Sequence, residues 1–239
     1  MPGKQIRKLS LCLQWSITPK PWKWKMLSDP VCRLCGSAAK QTQLESNFGR
    51  DYILCGNCKL IRMAPQHFLP REKEIERYLE HNNGMQFEGY KEFLTRAIEP
   101  ALKHISKKMT GLDYGCGHSP TLSKLLIDEG YNCEDYDPMF VENPLDKKYD
   151  FIFSTEVFEH FFEPHREIQK ICDLLEAGGI LTVMTVLWND IKRFKNWYYT
   201  RDPSHTAFYH SETFDHICEA FGLELMYNDG KRIVILKKN

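Results

Sequence analysis

From Pro70 onward the apolar positions alternate between helical and extended spacing. Ile75, Tyr78 and Leu79 recur at helical intervals among Glu72, Glu74 and Glu76, which predicts a helix broken near Asn82-Asn83-Gly84, and Tyr90 to Lys108 predicts a second. Met109 to Tyr114 reads as a short strand, Pro120 to Glu129 as a helix burying Leu122, Leu125, Leu126 and Ile127, and Tyr131 to Tyr136 as the next strand. Only about a dozen residues separate Asp137 from Asp150, too few for a helix and a strand, so a third strand is expected to be reduced or absent. Phe151 to Ser154 is an apolar strand; Glu167 to Glu176 is a helix burying Ile168, Ile171, Cys172 and Leu175, ended by Ala177-Gly178-Gly179; Ile180 to Val186 is again a strand. Ser211 is the expected cap of a helix from Glu212 to Phe221, and Leu223 to Tyr227 and Ile233 to Leu236 flank Asn228-Asp229-Gly230, a hairpin signal. Strands alternating with helices predict an open α/β fold with a mostly parallel sheet and an antiparallel last strand.

The chain before Pro70 follows another pattern. Met1 to Lys25 carries Lys4, Arg7, Lys8, Lys20, Lys23 and Lys25 and no acid. Its apolar piece Leu9 to Trp15 is short and lacks a small-residue cleavage site, which argues against a secretory signal. Residues 1–26 are expected to be a poorly ordered extension, or the product of a start upstream of Met26; a transit-like or nucleic-acid-contacting tail is the other reading, because Trp15, Trp22 and Trp24 sit among the lysines. Next, Cys32-Arg-Leu-Cys35 and Cys55-Gly-Asn-Cys58 lie nineteen residues apart. Two such knuckles complete a closed four-thiolate tetrahedron, so residues 27–69 are predicted to form a small zinc ribbon, with Gly36 and Gly56 at the sharp turns. Four thiolates leave no position for water, which favours structural over catalytic zinc. Two redox-active pairs are the alternative, but no βαβ pattern surrounds them.

Composition changes little of this. With 42% hydrophobic and 27% charged residues and a formal net charge of zero, the chain has material for a sizeable core and no global attraction to nucleic acid or acidic membranes. No run approaches the roughly 18 apolar residues of a membrane helix. Nine cysteines, four of them paired, fit metal ligands plus reduced thiols, and a cytoplasmic setting is expected.

The chemistry concentrates on Leu112-Asp-Tyr-Gly-Cys-Gly-His-Ser-Pro120, a strand running into a glycine turn. Gly115 and Gly117 permit close backbone approach to a ligand, and Pro120 behind Ser119 suits a helix start. A dinucleotide fingerprint needs a third glycine where Pro120 stands, and no phosphate-loop motif is present. Asp113 before the turn and Asp137 after the second strand suit a ligand with a positive centre and a ribose diol, as in S-adenosylmethionine, with Pro138 stiffening the second turn. The segments Leu112–Gly117, Tyr136–Pro138, Tyr149–His160 and Leu175–Leu181, within a region from about Ile75 to Asn239, resemble the class I S-adenosylmethionine-dependent methyltransferases.

That resemblance implies a Rossmann-like sheet and a cofactor site built from Asp113, Gly115, Cys116, Gly117, Asp137 and Pro138, with Glu156 and His160 at the next strand end and Tyr78 in a segment covering the cofactor. Tyr78 is equally explained as core, His81 with Asn82 as a helix cap, and Glu159 with His160 as a cap and dipole partner at a helix start. Beyond Val186 comes an aromatic run: Trp188, Phe194, Trp197-Tyr-Tyr199, Arg201-Asp-Pro-Ser-His205 and Phe208-Tyr-His210. So few aliphatics suggest pocket lining rather than core, and the run resembles methyltransferases with a Trp-Tyr…Asp-x-x-His block. His205 is then the expected general base or substrate-orienting group beside Asp202, with Tyr199 and Trp197 shaping the acceptor site; the alternative is a loop histidine bonded to Asp202.

The expected organisation is the extension, the ribbon, a helical segment over 70–108 that covers the cofactor, and a methyltransferase domain over 109–239. A small-molecule acceptor is favoured. Methylation of RNA or another macromolecule, read by ribbon and basic tail, is the second possibility, and a non-catalytic zinc-containing binding module on a degenerate methyltransferase fold the third. The oligomeric state is open.

Overall fold

The computed structural model describes residues 31–80 and 83–239. The basic extension and the proposed cap at His81 and Asn82 lie outside the described residues.

The larger layer is a six-stranded sheet: β4 (Thr110–Tyr114), β5 (Asn132–Tyr136), β6 (Tyr149–Thr155), β7 (Leu175–Met184), β9 (Leu223–Asn228) and β10 (Ile233–Lys238), in the order β5-β4-β6-β7-β10-β9. β4 runs parallel to β5 and β6, and β6 to β7, while β10 is antiparallel to both β7 and β9. Between β5 and β6 there is only an isolated bridge of Asp137 to Val141, so the third strand is missing as the short spacing requires.

Helices cover both faces. Phe151 and Phe153 of β6 pack with Leu94, Ala97 and Ile98 of α2 (Glu88–Ala101) and with Leu122 and Leu126 of α3 (Leu122–Asp128). Ile152 points the other way, into a core with Ile168 and Ile171 of α4 (Pro164–Leu174) and Phe214 and Ile217 of α5 (Ser211–Phe221). A strand buried on both faces reads as the continuous apolar run that β6 shows. Three boundaries differ from expectation. α3 begins at Leu122, two residues after the expected start at Pro120, and Thr121 before it donates its hydroxyl to the Asn83 carbonyl at 2.5 Å instead of capping the helix. α4 passes directly into β7 at Leu175, with no glycine cap between them. α5 is capped by His210, whose Nδ1 accepts from the Glu212 amide while Thr213 Oγ1 accepts from the His210 amide, and not by Ser211.

The second sheet has the order β1-β2-β3-β8, from β1 (Gln41–Glu45), β2 (Asp51–Cys55), β3 (Ile61–Met63) and β8 (Ala207–Phe208). The ribbon sheet is therefore completed by a strand from the far end of the chain, Ile61 pairing with Phe208. Tyr52, Ile61 and Met63 share a core with Phe194, Tyr199 and Phe208, against which Trp188 and Trp197 pack. This corrects the reading of the aromatic run as pocket lining: most of it is the core of the small sheet, where ring–ring contacts such as Tyr52–Phe194 at 5.2 Å replace aliphatic packing. No helix among the described residues is long and apolar enough to cross a membrane.

Candidate active site

β4, β5 and β6 end at one edge of the sheet, and the crevice at the carboxyl ends of such strands is where open α/β folds bind ligands. The turn after β4 is shaped by backbone requirements. Gly115 (φ 85°) and Gly117 (φ 68°) lie in the left-handed region. A Cβ on Gly115 would stand 2.4 Å from Val157 Cγ2, while one on Gly117 would meet nothing within 4 Å. The amides of Gly115 and Cys116 donate to the Tyr136 carbonyl at 2.7 and 3.1 Å, fastening the turn to β5. Asp137 fastens it further: Oδ2 accepts from the Gly117 amide (3.0 Å) and Oδ1 from those of Met139 (2.8 Å) and Phe140 (3.2 Å). Asp137 thus holds both loops of the crevice in register.

The crevice opens into a cleft of about 620 Å³. Its walls include Tyr78, Asp113, Gly115, Cys116, Gly117, Asp137, Pro138, Glu156 and His160, together with His205. Tyr199 and Asp202 are not among them. Tyr199 lies behind the wall, and the Asp202 carboxylate accepts from Arg77 and Ser204 instead of the His205 ring. The alternative of a loop histidine bonded to Asp202 is not what the structure has; the ring is oriented by the Tyr199 carbonyl, 2.8 Å from Nδ1. Glu74 and Tyr78 of α1 (Arg71–Leu79) also line the cleft, along with Tyr90 and Phe93 of α2.

Acidic groups dominate the inner wall. Asp113 is 2% exposed, its Oδ1 has no partner among the described residues, and burial together with the nearby Asp135 pushes its carboxyl well above the usual range. Glu156, held at φ 56°, is pushed up to about 8 by burial and by Glu159, against the pull of Arg232, whose Nη1 donates to Oε1 at 3.0 Å. Burial raises Glu74 to about 7. Desolvated carboxyls gathered in one cleft, with Asp113 Oδ1 left without a partner among the described residues, favour a cationic ligand.

At the end of the cleft under α1 stand Glu159, His160 and His205, placed by the 3-10 turn Phe158–His160 after β6 and by the segment before β8. Both imidazoles donate from Nδ1 to backbone carbonyls, His160 to Ser204 at 3.0 Å and His205 to Tyr199 at 2.8 Å. Their rings are 5.0 Å apart. Burial and His160 lower His205 to about 4, so its ring is neutral at neutral pH. Glu159 is fully buried, accepts the Tyr199 hydroxyl on Oε1, and has no partner for Oε2 among the described residues. Sequence reasoning left Glu159 out of the site. Its signal was the adjacency to His160 at a strand's carboxyl end, which a helix-cap role explained equally well.

The four ribbon thiols also converge. Cys32 and Cys58 Sγ are 3.6 Å apart, as are those of Cys35 and Cys55, and all four lie within 4.8 Å of one another. A tetrahedron with Zn–S bonds of about 2.3 Å has edges near 3.8 Å, so the donor set fits a zinc ion, whereas a disulfide would need about 2.05 Å. The tight turns use Gly36 (φ 68°) in the first knuckle and Lys59 (φ 60°) in the second, where Gly56 was expected. Arg33, inside the first knuckle, donates to the Phe162 carbonyl at 3.0 Å and pairs with Glu163 at 3.3 Å, so the ribbon grips the loop that enters α4 beside the cleft.

Fold, glycine turn and acid-lined cleft together define an α/β enzyme of the methyl-transferring class. The sequence pattern of the methyltransferase domain matches residues 86–228, and the chain belongs to this family of S-adenosylmethionine-dependent enzymes. No curated protein sequence matches it significantly. Similar solved structures include magnesium protoporphyrin IX methyltransferase from Synechocystis PCC 6803, with 15% identity, 73% of this chain and 97% of that chain covered, and a TM-score of 0.49. An O-methyltransferase family protein from Burkholderia thailandensis shows 14% identity over 71% of this chain and 68% of that chain, with a TM-score of 0.48.

Proposed function

We propose that the protein methylates a small-molecule acceptor, with a structural zinc ion in its ribbon. The observation that carries the reading is the cleft itself: about 620 Å³, lined by residues of α1, α2 and the strand ends, is the size of a small-molecule site and gives room for a cofactor and a compact acceptor. S-adenosylmethionine, when bound, supplies the electrophilic methyl group. Asp113 offers a buried carboxylate to its positive charge, Asp137 has lone pairs beyond those that hold the loops, and Gly115, Cys116 and Gly117 bring the backbone to the ligand. Glu156, Pro138 and Tyr78 complete that wall. His160 and His205, with Nδ1–H fixed by carbonyls, direct Nε2 lone pairs outward, and His205 engages the acceptor's nucleophilic atom. Tyr199 and Asp202 act as positioning residues. Cys32, Cys35, Cys55 and Cys58 would hold the zinc.

The test is calorimetric titration with S-adenosylhomocysteine alongside elemental analysis for zinc. One cofactor and one zinc per chain are expected, with cofactor affinity at least tenfold weaker in Asp137→Ala. Unchanged affinity in that variant would remove the assigned cofactor site, and nucleic acid that copurifies and dissociates with salt would overturn the small-molecule reading.

A further inference from the structure

The cluster of Glu159, His160 and His205 supports more than proton transfer. One candidate ligand atom from each residue lies within 4.8 Å of those of the other two. Each imidazole has its Nδ1–H committed to a backbone carbonyl, which leaves Nε2 as the coordinating atom and fixes the ring's direction. Glu159 is fully buried, one oxygen is held by the Tyr199 hydroxyl, and Oε2 has no partner among the described residues. A buried carboxylate oxygen without a donor is unfavourable unless something positive faces it. Tyr199 serves two of the three ligands at once, through its hydroxyl to Glu159 and its carbonyl to His205. Outer partners of this kind, holding carboxylate and imidazoles in one orientation, are what metal ligands require.

We propose that Glu159, His160 and His205 bind a divalent first-row transition ion in the cleft, separate from the ribbon zinc, and that this ion receives an oxygen of the acceptor. Two imidazole nitrogens and one carboxylate oxygen leave coordination positions open, unlike the four thiolates of the ribbon. The acceptor class is then a hydroxyl compound. On the ion, the O–H bond breaks, the proton leaves to solvent, and the electron pair stays on the metal-bound oxygen as the nucleophile that methyl transfer needs. This rests on the methyltransferase reading and replaces direct deprotonation by His205 with coordination through it.

Manganese is the probe, because it prefers nitrogen and oxygen donors and leaves thiolate-bound zinc in place. Zinc-loaded full-length protein is titrated with manganese chloride, followed by the loss of the free ion's paramagnetic resonance signal, with and without S-adenosylhomocysteine. One manganese per chain is expected. Glu159→Gln and His205→Gln should each weaken it at least tenfold while keeping ribbon zinc and S-adenosylhomocysteine binding as signs of an intact fold. Tyr199→Phe, which leaves all three ligands present, should weaken it less. Wild-type protein that binds S-adenosylhomocysteine but takes up no manganese would overturn the site, as would variants binding manganese like wild type. Manganese uptake without S-adenosylhomocysteine binding would support the site and overturn the cofactor reading instead.

Discussion

Arg77 of α1 grips the carboxylate of Asp202, with Nε and Nη2 at 3.0 and 2.8 Å from the same oxygen. The pair ties α1, which contributes Glu74 and Tyr78 to the cleft lining, to the loop that carries His205, and Asp202 also accepts from the amide and hydroxyl of Ser204, whose carbonyl orients His160. Arg77 is more than one-third exposed, so the pair contributes little to global stability, within about 1 kcal/mol. Its effect should be local. Arg77→Ala should raise KM for the cofactor several-fold with a nearly unchanged melting temperature, measured by steady-state kinetics and differential scanning fluorimetry.

The turn after β4 leaves no room for a side chain at its first glycine. Gly115→Ala forces φ 85° on an L residue and sets its Cβ against Val157. Left-handed strain of roughly 1 kcal/mol and overpacking of about 1–3 kcal/mol should add, giving a loss of about 2–4 kcal/mol in urea unfolding and loss of cofactor binding. Gly117→Ala, with open space around its Cβ, should carry the strain alone.

How much of this was legible in the chain depends on the range of the interactions. β4, β5, β6 and the closing hairpin are local patterns, and the shortage of residues after Asp137 announced the missing strand. The wall residues from Asp113 to Asp137 were readable because a glycine turn constrains its neighbours. The aromatic run was misread because its partners, Tyr52, Ile61 and Met63, lie more than a hundred residues away. The same long-range pairing of β3 with β8 fixed Tyr199 behind the wall, and no local period reports such contacts. Glu159 was ambiguous for a related reason: its meaning depends on His205, brought close only by that sheet.

Cys32, Cys55 and Cys58 belong to the same core as Ile152 of β6, so metal loss should reach beyond the ribbon. With zinc bound as proposed, treatment with a strong chelator, or Cys58→Ser, should release it, lower the melting temperature by roughly 10 °C, and raise exchange of the β3–β8 amides in hydrogen–deuterium exchange. A ribbon that loses zinc with no change in β8 would show the two sheets to be energetically independent.

The buried Asp113 carboxyl, raised by desolvation and Asp135, takes up a proton in the free protein and gives it up when a cation binds against it. Cofactor affinity should therefore rise with pH, and binding should release protons, seen as a dependence of calorimetric heat on buffer ionisation enthalpy. Asp113→Asn should weaken binding and flatten the pH dependence.

Glu74 gives the matching effect on stability. It is 4% exposed and sits at about 7 in the folded protein, above the ordinary glutamate value, because burial disfavours its charge. Between about pH 4.5 and 7 the folded state holds more protons than the unfolded state, so stability falls as pH rises through that window and levels off above it. The shift bounds the effect at roughly 3 kcal/mol. Glu74→Gln removes the titrating group, so its stability relative to wild type should grow from pH 4.5 to pH 7 and then stay constant. Urea unfolding of both proteins at a series of pH values measures the difference directly, and parallel curves would mean that Glu74 is already ionised in the folded cleft.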